Sequence, residues 1–543
     1  MGAARGTSRH ASSTEQLSTA LLSPSPEAAS APQKCAVTKD TTYCSYLGSL
    51  VTKLNRVARM PKLIIKSAKA KMSGQKQQHK AKIEVHPVRV SPEAVARLMP
   101  IIRTITSIIW MVDSIFFRPW FFGFSLINPL WLLRRWLQPE QIRRRALKLS
   151  GLPVEQYHLP VQQIDSRIQT IIDAVVDNKG TIEGCVQKTG GNMRVSLLSV
   201  MMLEGQIMKQ LVADLHVSAA RTLTPRVDAA FTGAPLIIAA LPRSGTTLLL
   251  ELLSCDKTTW RQLTSLEANM PCFVGQNGAA RRRYEKYAEE FCAGFQNYAE
   301  DLKHIHYEHW AGPTECRDAL ANGCGASYRF WEFFGLAEPM NAWLENDAER
   351  HKDYVRYRTQ LGAIKVANGT NQDNHCEWLL KDPCHLFSLD ALFSVFPNAS
   401  VVMLHRDPAT ISVSLCSLNS AVWNSHYRKE PGTGAFKFKQ SGVDVLAKLC
   451  DSGLDYRERN PDAKIHDLTM RALVDDPIAA VEGIYKFAGK TLSATARTAM
   501  LEYLRVNKRE KRSGRHSYSA ADFGLDVNEL NSRFARYKAK FGV

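Results

Sequence analysis

The sequence lacks the marks of a metal-held or disulfide-held fold. Its twelve cysteines include no CxxC pair and no Cys/His run at zinc spacing, which excludes the common structural zinc sites and a CxxC redox centre. A chain of 543 residues can also bury enough surface to need no disulfide framework, so the cysteines read as buried thiols and leave the compartment open. Acidic residues are scarce at the N-terminal end. Residues 1–97 hold five Asp or Glu against sixteen Lys or Arg, so about +11 of the formal +18 falls in the first fifth of the chain. No nucleic-acid-binding motif accompanies that charge, and no nucleic-acid partner is expected. Missing too is an unbroken apolar run of the roughly 20 residues that a spanning helix needs.

What is present divides the chain into four regions. Residues 1–97 are a basic tail, rich in Ser, Ala and Thr at its start, and read either as a solvated, disordered arm or as a targeting or membrane-surface segment. Gly6 stands where an N-myristoylation signal has Ser or Thr, which excludes that anchor. From Ser49 to Met72 apolar pairs alternate with Lys and Arg, as in a basic amphipathic helix broken at Pro61. Residues 98–139 contain the most apolar stretch, Ile101 to Leu133, in which Asp113, Arg118-Pro119 and Pro129 leave two pieces of about 14 residues. That pattern favours a monotopic or hairpin membrane anchor, and leaves open a spanning helix or an apolar flap on the catalytic domain. The arginines from Arg134 to Arg145 and the basic tail flank it with positive charge on both sides.

Residues 140–232 read as a helical layer: Ile164, Ile168, Ile171, Ile172 and Val175 recur at helical spacing, and Leu197 to Leu215 is similar. Residues 233–543 change pattern. Short apolar runs at Leu236–Leu241, Trp378–Leu380 and Val401–Leu404 alternate with helical stretches, which predicts an α/β fold, a P-loop-like parallel sheet flanked by helices.

The strongest single signal is Leu236-Ile-Ile-Ala-Ala-Leu-Pro-Arg-Ser-Gly-Thr-Thr-Leu-Leu-Leu250, a strand, a tight loop and the first turn of a helix. Such a loop aims backbone N–H groups and the helix dipole at one point and so binds an anion. Gly245 allows close backbone approach there, and Thr246 and Thr247 add hydroxyl donors. A Walker nucleotide loop is excluded at two positions, because Ala240 replaces its first Gly and Thr246 its Lys. A phosphate without a magnesium-bound γ group remains. Two further strand ends follow, Trp378-Leu-Leu-Lys-Asp-Pro-Cys-His-Leu386 and Val401-Val-Met-Leu-His-Arg-Asp-Pro-Ala-Thr-Ile-Ser-Val-Ser414, and then a basic stretch, Asn507 to Ser519.

These four segments, in this order, resemble the sulfotransferases that use 3'-phosphoadenosine 5'-phosphosulfate (PAPS), in the branch with PRSGTT, LKxPxHL and HRDP segments. The likeness covers roughly residues 150–540. It implies sulfuryl transfer from PAPS to an acceptor hydroxyl or amine, with 3'-phosphoadenosine 5'-phosphate (PAP) as product and no metal. Arg243, Ser244, Gly245, Thr246 and Thr247 would hold the 5'-phosphosulfate. Arg406 and Ser414 would hold the 3'-phosphate, Arg supplying a planar fork and Ser a neutral donor; the plain alternative for Arg406 is an ion pair with Asp407. Lys511, Arg512 and Gly514 fall in the family's basic loop over the same phosphate. Arg243 and Lys381 would neutralise charge on the leaving phosphate and the moving group. The general base stays open among Glu267, His385 and the cluster His304, His306 and His309.

The acceptor, small molecule or lipid, is not legible. Aromatics in Tyr328 to Phe334 suit a sterol-like or lipid alcohol, or simply a core. A membrane-associated enzyme of the Golgi, another endomembrane or a plastid fits the pattern, as do sequons at Asn368 and Asn398, the latter expected to be hidden by the strand that follows it. Oligomeric state is unreadable. The rival reading is an inactive membrane-associated binding protein on a sulfotransferase fold.

Overall fold

The computed structural model describes residues 137–176, 197–224, 226–231, 233–271, 282, 310–325, 345–367, 376–426, 441–510 and 519–543. The basic tail, the apolar run Ile101 to Leu133, the cluster His304, His306 and His309, the aromatics Tyr328 to Phe334, Asn368, and Lys511, Arg512 and Gly514 lie outside them. Among the described residues no helix is long and apolar enough to cross a membrane.

Five strands, β1 Leu236–Ile238, β2 Trp260–Gln262, β3 Glu377–Lys381, β4 Ser400–His405 and β5 Ile465–Thr469, form one sheet in the order β2-β3-β1-β4-β5. Every pairing is parallel. Parallel strands need crossovers, which are helical here and cover both faces. Residues of odd and even number in each central strand therefore serve different cores. Ile237, Trp378, Leu380, Val401 and Met403 share one with Tyr354, Leu361, Leu392 and Leu446. Leu236, Ile238, Leu379, Val402 and Leu404 share the other with Leu249, Leu253, Val481 and Met500. This two-sided burial is why the central strands read as unbroken apolar runs instead of alternating ones.

Around the sheet, in chain order, stand α1 Pro139–Ser150, α2 Val161–Val176, α3 Leu197–Leu223, α4 Arg226–Ala230, α5 Thr246–Leu253, α6 Ser265–Asn269, α7 Arg317–Ala321, α8 Asp347–Ala367, α9 Leu389–Val395, α10 Pro408–His426, α11 Ser441–Arg459, α12 Met470–Asp475, α13 Pro477–Phe487, α14 Ala494–Glu510, α15 Val527–Arg533 and α16 Ala535–Phe541. Ile164, Ile168, Ile171 and Ile172 of α2 are all buried, as their spacing predicts. A buried ion pair joins the N-terminal helices to the rest, Arg167 of α2 reaching Asp353 of α8 at 2.7 Å, while Arg143 of α1 ties α1 to α2 through the half-buried Asp165 at 2.6 Å.

The chain leaves β1 toward β2, returns to β3 beside β1, and crosses β1 to enter β4 on its other side. The order of connection thus reverses at β1. At such a point the loops at the carboxyl ends of neighbouring strands part and open a crevice, the usual ligand position in open parallel sheets.

Candidate functional site

The loop after β1 closes on itself and then opens into a helix without a side-chain cap. Ser244 Oγ donates to the Leu241 carbonyl at 2.6 Å. Gly245 is the N-cap of α5 and supplies no side-chain bond, so the first N–H groups of the helix are left for a ligand. Gly245 has φ 96° and Arg243 φ 63°. A Cβ at position 245 would meet Met470 Cγ at 3.5 Å and Leu404 Cδ2 at 3.6 Å, ordinary contacts, so left-handed backbone, and not crowding, is what requires glycine there. Arg243 holds the same region without that freedom, at a cost of about 1–2 kcal/mol, and strain of this kind gathers at functional sites.

The carboxyl end of β4 meets this loop. Arg406 Nη1 donates to the Arg243 carbonyl at 2.7 Å, and Arg243 Nε donates to Ser414 Oγ at 3.1 Å. Residues 171 positions apart in sequence are thereby brought into one corner. The ion pair of Arg406 with Asp407 does not form; Asp407 instead pairs with Lys538 at 3.2 Å and accepts from the Thr410 hydroxyl. Thr246 is buried and Thr247 exposed. Beside Arg406 a cavity of about 430 Å³ is lined by residues of the ends of β4 and β5, among them His405, Thr469, Met470 and Arg471. His405 is held in it between Tyr537 Oη at 2.7 Å and Asp467 Oδ1 at 2.9 Å.

A second corner lies at the end of β3, whose Lys381 is paired in register with Ile238 of β1. Lys381 Nζ is 2.5 Å from Glu315 Oε1, and Glu315 Oε2 is 2.9 Å from Arg317 Nη1. The segment carrying Glu315 is stitched down on both sides: Thr314 N–H donates to Leu263 O and Cys316 N–H to Lys381 O, each at 2.9 Å. Asp382 follows, accepting from Cys384 N–H with one oxygen at 2.8 Å, while its other oxygen, buried, has no hydrogen-bond partner among the described residues. Burial, and then the charge of Glu315, push its carboxyl up to about 6.

Glu267 heads α6 in a capping box: Thr264 Oγ1 accepts its N–H at 3.3 Å, and its own Oε2 accepts Thr264 N–H at 3.1 Å. Its Oε1 is 2.5 Å from Arg261, in a pair that is 6–7% exposed, and that guanidinium lies 4.2 Å over the Trp378 ring. His385 is not at the crevice. The 3₁₀ turn Pro383–Ser388 rotates it into the core, where it is fully buried with Nδ1 2.6 Å from Tyr354 Oη. Burial, and then the charge of Arg350, lower its imidazole to about 3, so it stands neutral. Asn398 is exposed in the turn before β4; the strand does not hide it.

Arg243, Ser244, Gly245, Arg406 and Ser414 are thus brought together at the crevice, and Lys381 ends the strand beside them. Sequence reasoning missed Glu315, Arg317 and Asp382. Asp382 was adjacent to a selected residue, but Glu315 is 66 positions from Lys381, and no spacing rule connects them.

Residues 235–494 match a family model described as the Sulfotransferase family. Two curated relatives, the omega-hydroxy-beta-dihydromenaquinone-9 sulfotransferases Stf3 of Mycobacterium bovis and Mycobacterium tuberculosis, are 29% identical over 113 residues, 20% of this chain. The match spans 28% of the length of those relatives. Among solved structures, sulfotransferase STF1 of Mycobacterium tuberculosis superposes with a TM-score of 0.56 at 24% identity, over 73% of this chain and 98% of its own. Sulfotransferase STF9 of Mycobacterium avium does so with 0.59 at 21%, over 75% and 97%. At these identities the two structures share the fold. The loop after β1, the helix that follows it, and the strand ends carrying Lys381 and Arg406 all lie within the matched residues, and the region 235–494 belongs to the sulfotransferase family.

Proposed function

We propose that the chain transfers a sulfuryl group from PAPS to the hydroxyl of a lipid-like acceptor. The observation that carries the donor assignment is the convergence of Arg243, Arg406 and Ser414 on one loop. A planar cation, a helix N-terminus and a neutral hydroxyl at the switch point suit two phosphate groups joined by a nucleoside, and the cavity beside Arg406 offers the nucleoside room. The missing Walker lysine, replaced by Thr246, argues against ATP.

In this reading Arg406 and Ser414 hold the 3'-phosphate, with Lys511, Arg512 and Gly514 over it, while Ser244, Gly245, Thr246 and Thr247 hold the 5' end. Arg243 and Lys381 offset charge as the bond from sulfur to the phosphate oxygen breaks and the bond from the acceptor oxygen to sulfur forms. We assign the acceptor proton to Glu267 rather than to His385, which is fully buried against Tyr354. The lipid character of the acceptor is supported by the name of the Stf3 relatives, sulfotransferases of a dihydromenaquinone, and by the apolar run Ile101 to Leu133, which we assign to a monotopic or hairpin membrane contact.

Calorimetric titration of the detergent-solubilised protein with PAP, and separately with ATP and magnesium, tests the donor. Saturable binding of PAP alone is expected; preference for ATP, or binding of neither, would overturn the assignment. Transfer of labelled sulfate from PAPS to long-chain alcohols, against mono- and disaccharides, tests the acceptor class.

A further inference from the structure

Lys381 is an awkward residue for its assigned task. Its side chain is 2% exposed, and a buried ammonium on a flexible stem needs a partner to stay charged and in one place. That partner is Glu315, and three features make it part of the strand end instead of a passing surface contact. Its backbone is bonded through Cys316 N–H to the carbonyl of Lys381 itself and through Thr314 N–H to Leu263 at the exit of β2. Its second oxygen is taken by Arg317 at the head of α7, which fixes the carboxylate plane. Asp382, the other acid of the corner, spends its bonded oxygen on Cys384 N–H and makes no hydrogen bond to Lys381 among the described residues. A single carboxylate therefore aims the lysine.

We propose that Glu315 is a positioning residue for sulfuryl transfer: anchored by Arg317 and by the Cys316–Lys381 backbone bond, it holds the Lys381 ammonium at the end of β3, where the sulfuryl oxygens of the donor take it over. The inference rests on the assignment of Lys381 to the sulfuryl group. It predicts that Glu315 matters to the part of the donor that PAPS has and PAP lacks, although Glu315 touches neither.

The test is the ratio of PAPS to PAP affinity, measured by calorimetry without acceptor on the full chain and on Glu315→Gln, Glu315→Asp, Lys381→Met and the double variant Glu315→Gln/Lys381→Met. Glu315→Gln and Lys381→Met should each lower that ratio roughly tenfold, as loss of a charge-assisted hydrogen bond does. PAP affinity should stay within about twofold. The double variant should be no worse than Lys381→Met, since one interaction cannot be lost twice, and Glu315→Asp should recover part of the ratio. A ratio lowered by Lys381→Met but not by Glu315→Gln overturns the inference alone. Equal loss of PAPS and PAP affinity in Glu315→Gln, or additive losses in the double variant, would make Glu315 a merely structural residue. An unchanged ratio in Lys381→Met overturns the lysine assignment and this inference with it; no binding of either nucleotide by the unaltered chain overturns the donor. Failure of Glu315→Gln to fold is covered by Glu315→Asp, which keeps the charge: no loss of ratio in a folded Glu315→Asp with the shortened reach would count against positioning.

Discussion

The two corners that flank β1 use cations in opposite ways. At the β1–β4 corner the described contacts of Arg243 and Arg406 are neutral: a serine hydroxyl and a backbone carbonyl. At the β1–β3 corner Lys381 and Arg317 share the carboxylate of Glu315, and on the neighbouring edge strand β2 Arg261 is matched to Glu267. A group that binds a permanently charged phosphate gains by keeping its forks aimed through neutral partners, which hold direction without cancelling charge. A group that meets charge only while a bond is moving must survive burial in the meantime, and a buried cation without an anion costs several kcal/mol. On the proposed function the first corner binds and the second holds its charges ready.

Breaking the first corner should have the largest effect. Arg406→Ala removes the fork and the bond that fixes the Arg243 carbonyl, so PAP affinity should fall by about two orders of magnitude, the size of a lost charge-assisted pair. Its salt dependence should weaken along with it. Thermal stability should change little, because Arg406 has no carboxylate partner among the described residues that its loss would strand. Calorimetry at two ionic strengths beside a melting curve checks all three. Unchanged PAP affinity would remove Arg406 from the site and dissolve the contrast.

Glu267→Gln should show the reverse signature. The amide can still accept the Thr264 N–H and preserve half of the capping box, but it leaves the Arg261 guanidinium buried without its anion. A loss of about 3 kcal/mol in stability is expected, at the low end for a broken buried pair, because the Trp378 ring still faces the cation. PAP affinity should be nearly unchanged. If Glu267 also takes the acceptor proton, kcat should fall well beyond what the stability loss explains. A variant of normal stability and normal kcat would strip Glu267 of both roles.

The same contrast explains what the sequence could reveal. The first corner was legible because backbone geometry builds it: a loop of known shape after an apolar strand, and an arginine at the head of another. The central strands β1, β3 and β4 showed as apolar runs because both their faces are covered. The edge strands did not. β2 is three residues, two of them Arg261 and Gln262, and β5 carries His466 and Asp467 half in solvent, so neither has a period to detect. The second corner depends on side chains brought from three segments. Glu315 reaches Lys381 only after Leu263, Thr314 and Cys316 have been laced together, and no local pattern encodes that. His385 misled for the same reason. Four residues past Lys381 it reads as part of the same strand end, but the 3₁₀ turn buries it against Tyr354.

The smallest effect lies behind the second corner and concerns pH. His385 is buried neutral, its imidazole lowered to about 3, while in the unfolded chain it titrates near 6.5. A depressed value stabilises the fold above pH 6.5, where neither state takes the proton. That contribution is lost as pH falls toward 3, since the unfolded chain binds a proton the folded one refuses. At pH 5.5 the loss is roughly 1 kcal/mol. Asp382 works in the opposite sense in a neighbouring window. Its carboxyl, raised to about 6, favours the fold at low pH and loses that contribution as pH rises from about 4 to 6. Between pH 6 and 7 the histidine should outweigh the aspartate, and below that the two should largely cancel. His385→Gln, which can still accept from the Tyr354 hydroxyl, should flatten the upper slope and leave the lower one, now uncancelled, rising toward acid. Urea unfolding midpoints at half-unit steps from pH 4 to 7.5 would resolve this. If the variant and the unaltered chain traced parallel curves, His385 would be titrating in the folded state, and the separation between a crevice-facing lysine and a core-facing histidine would have to be redrawn.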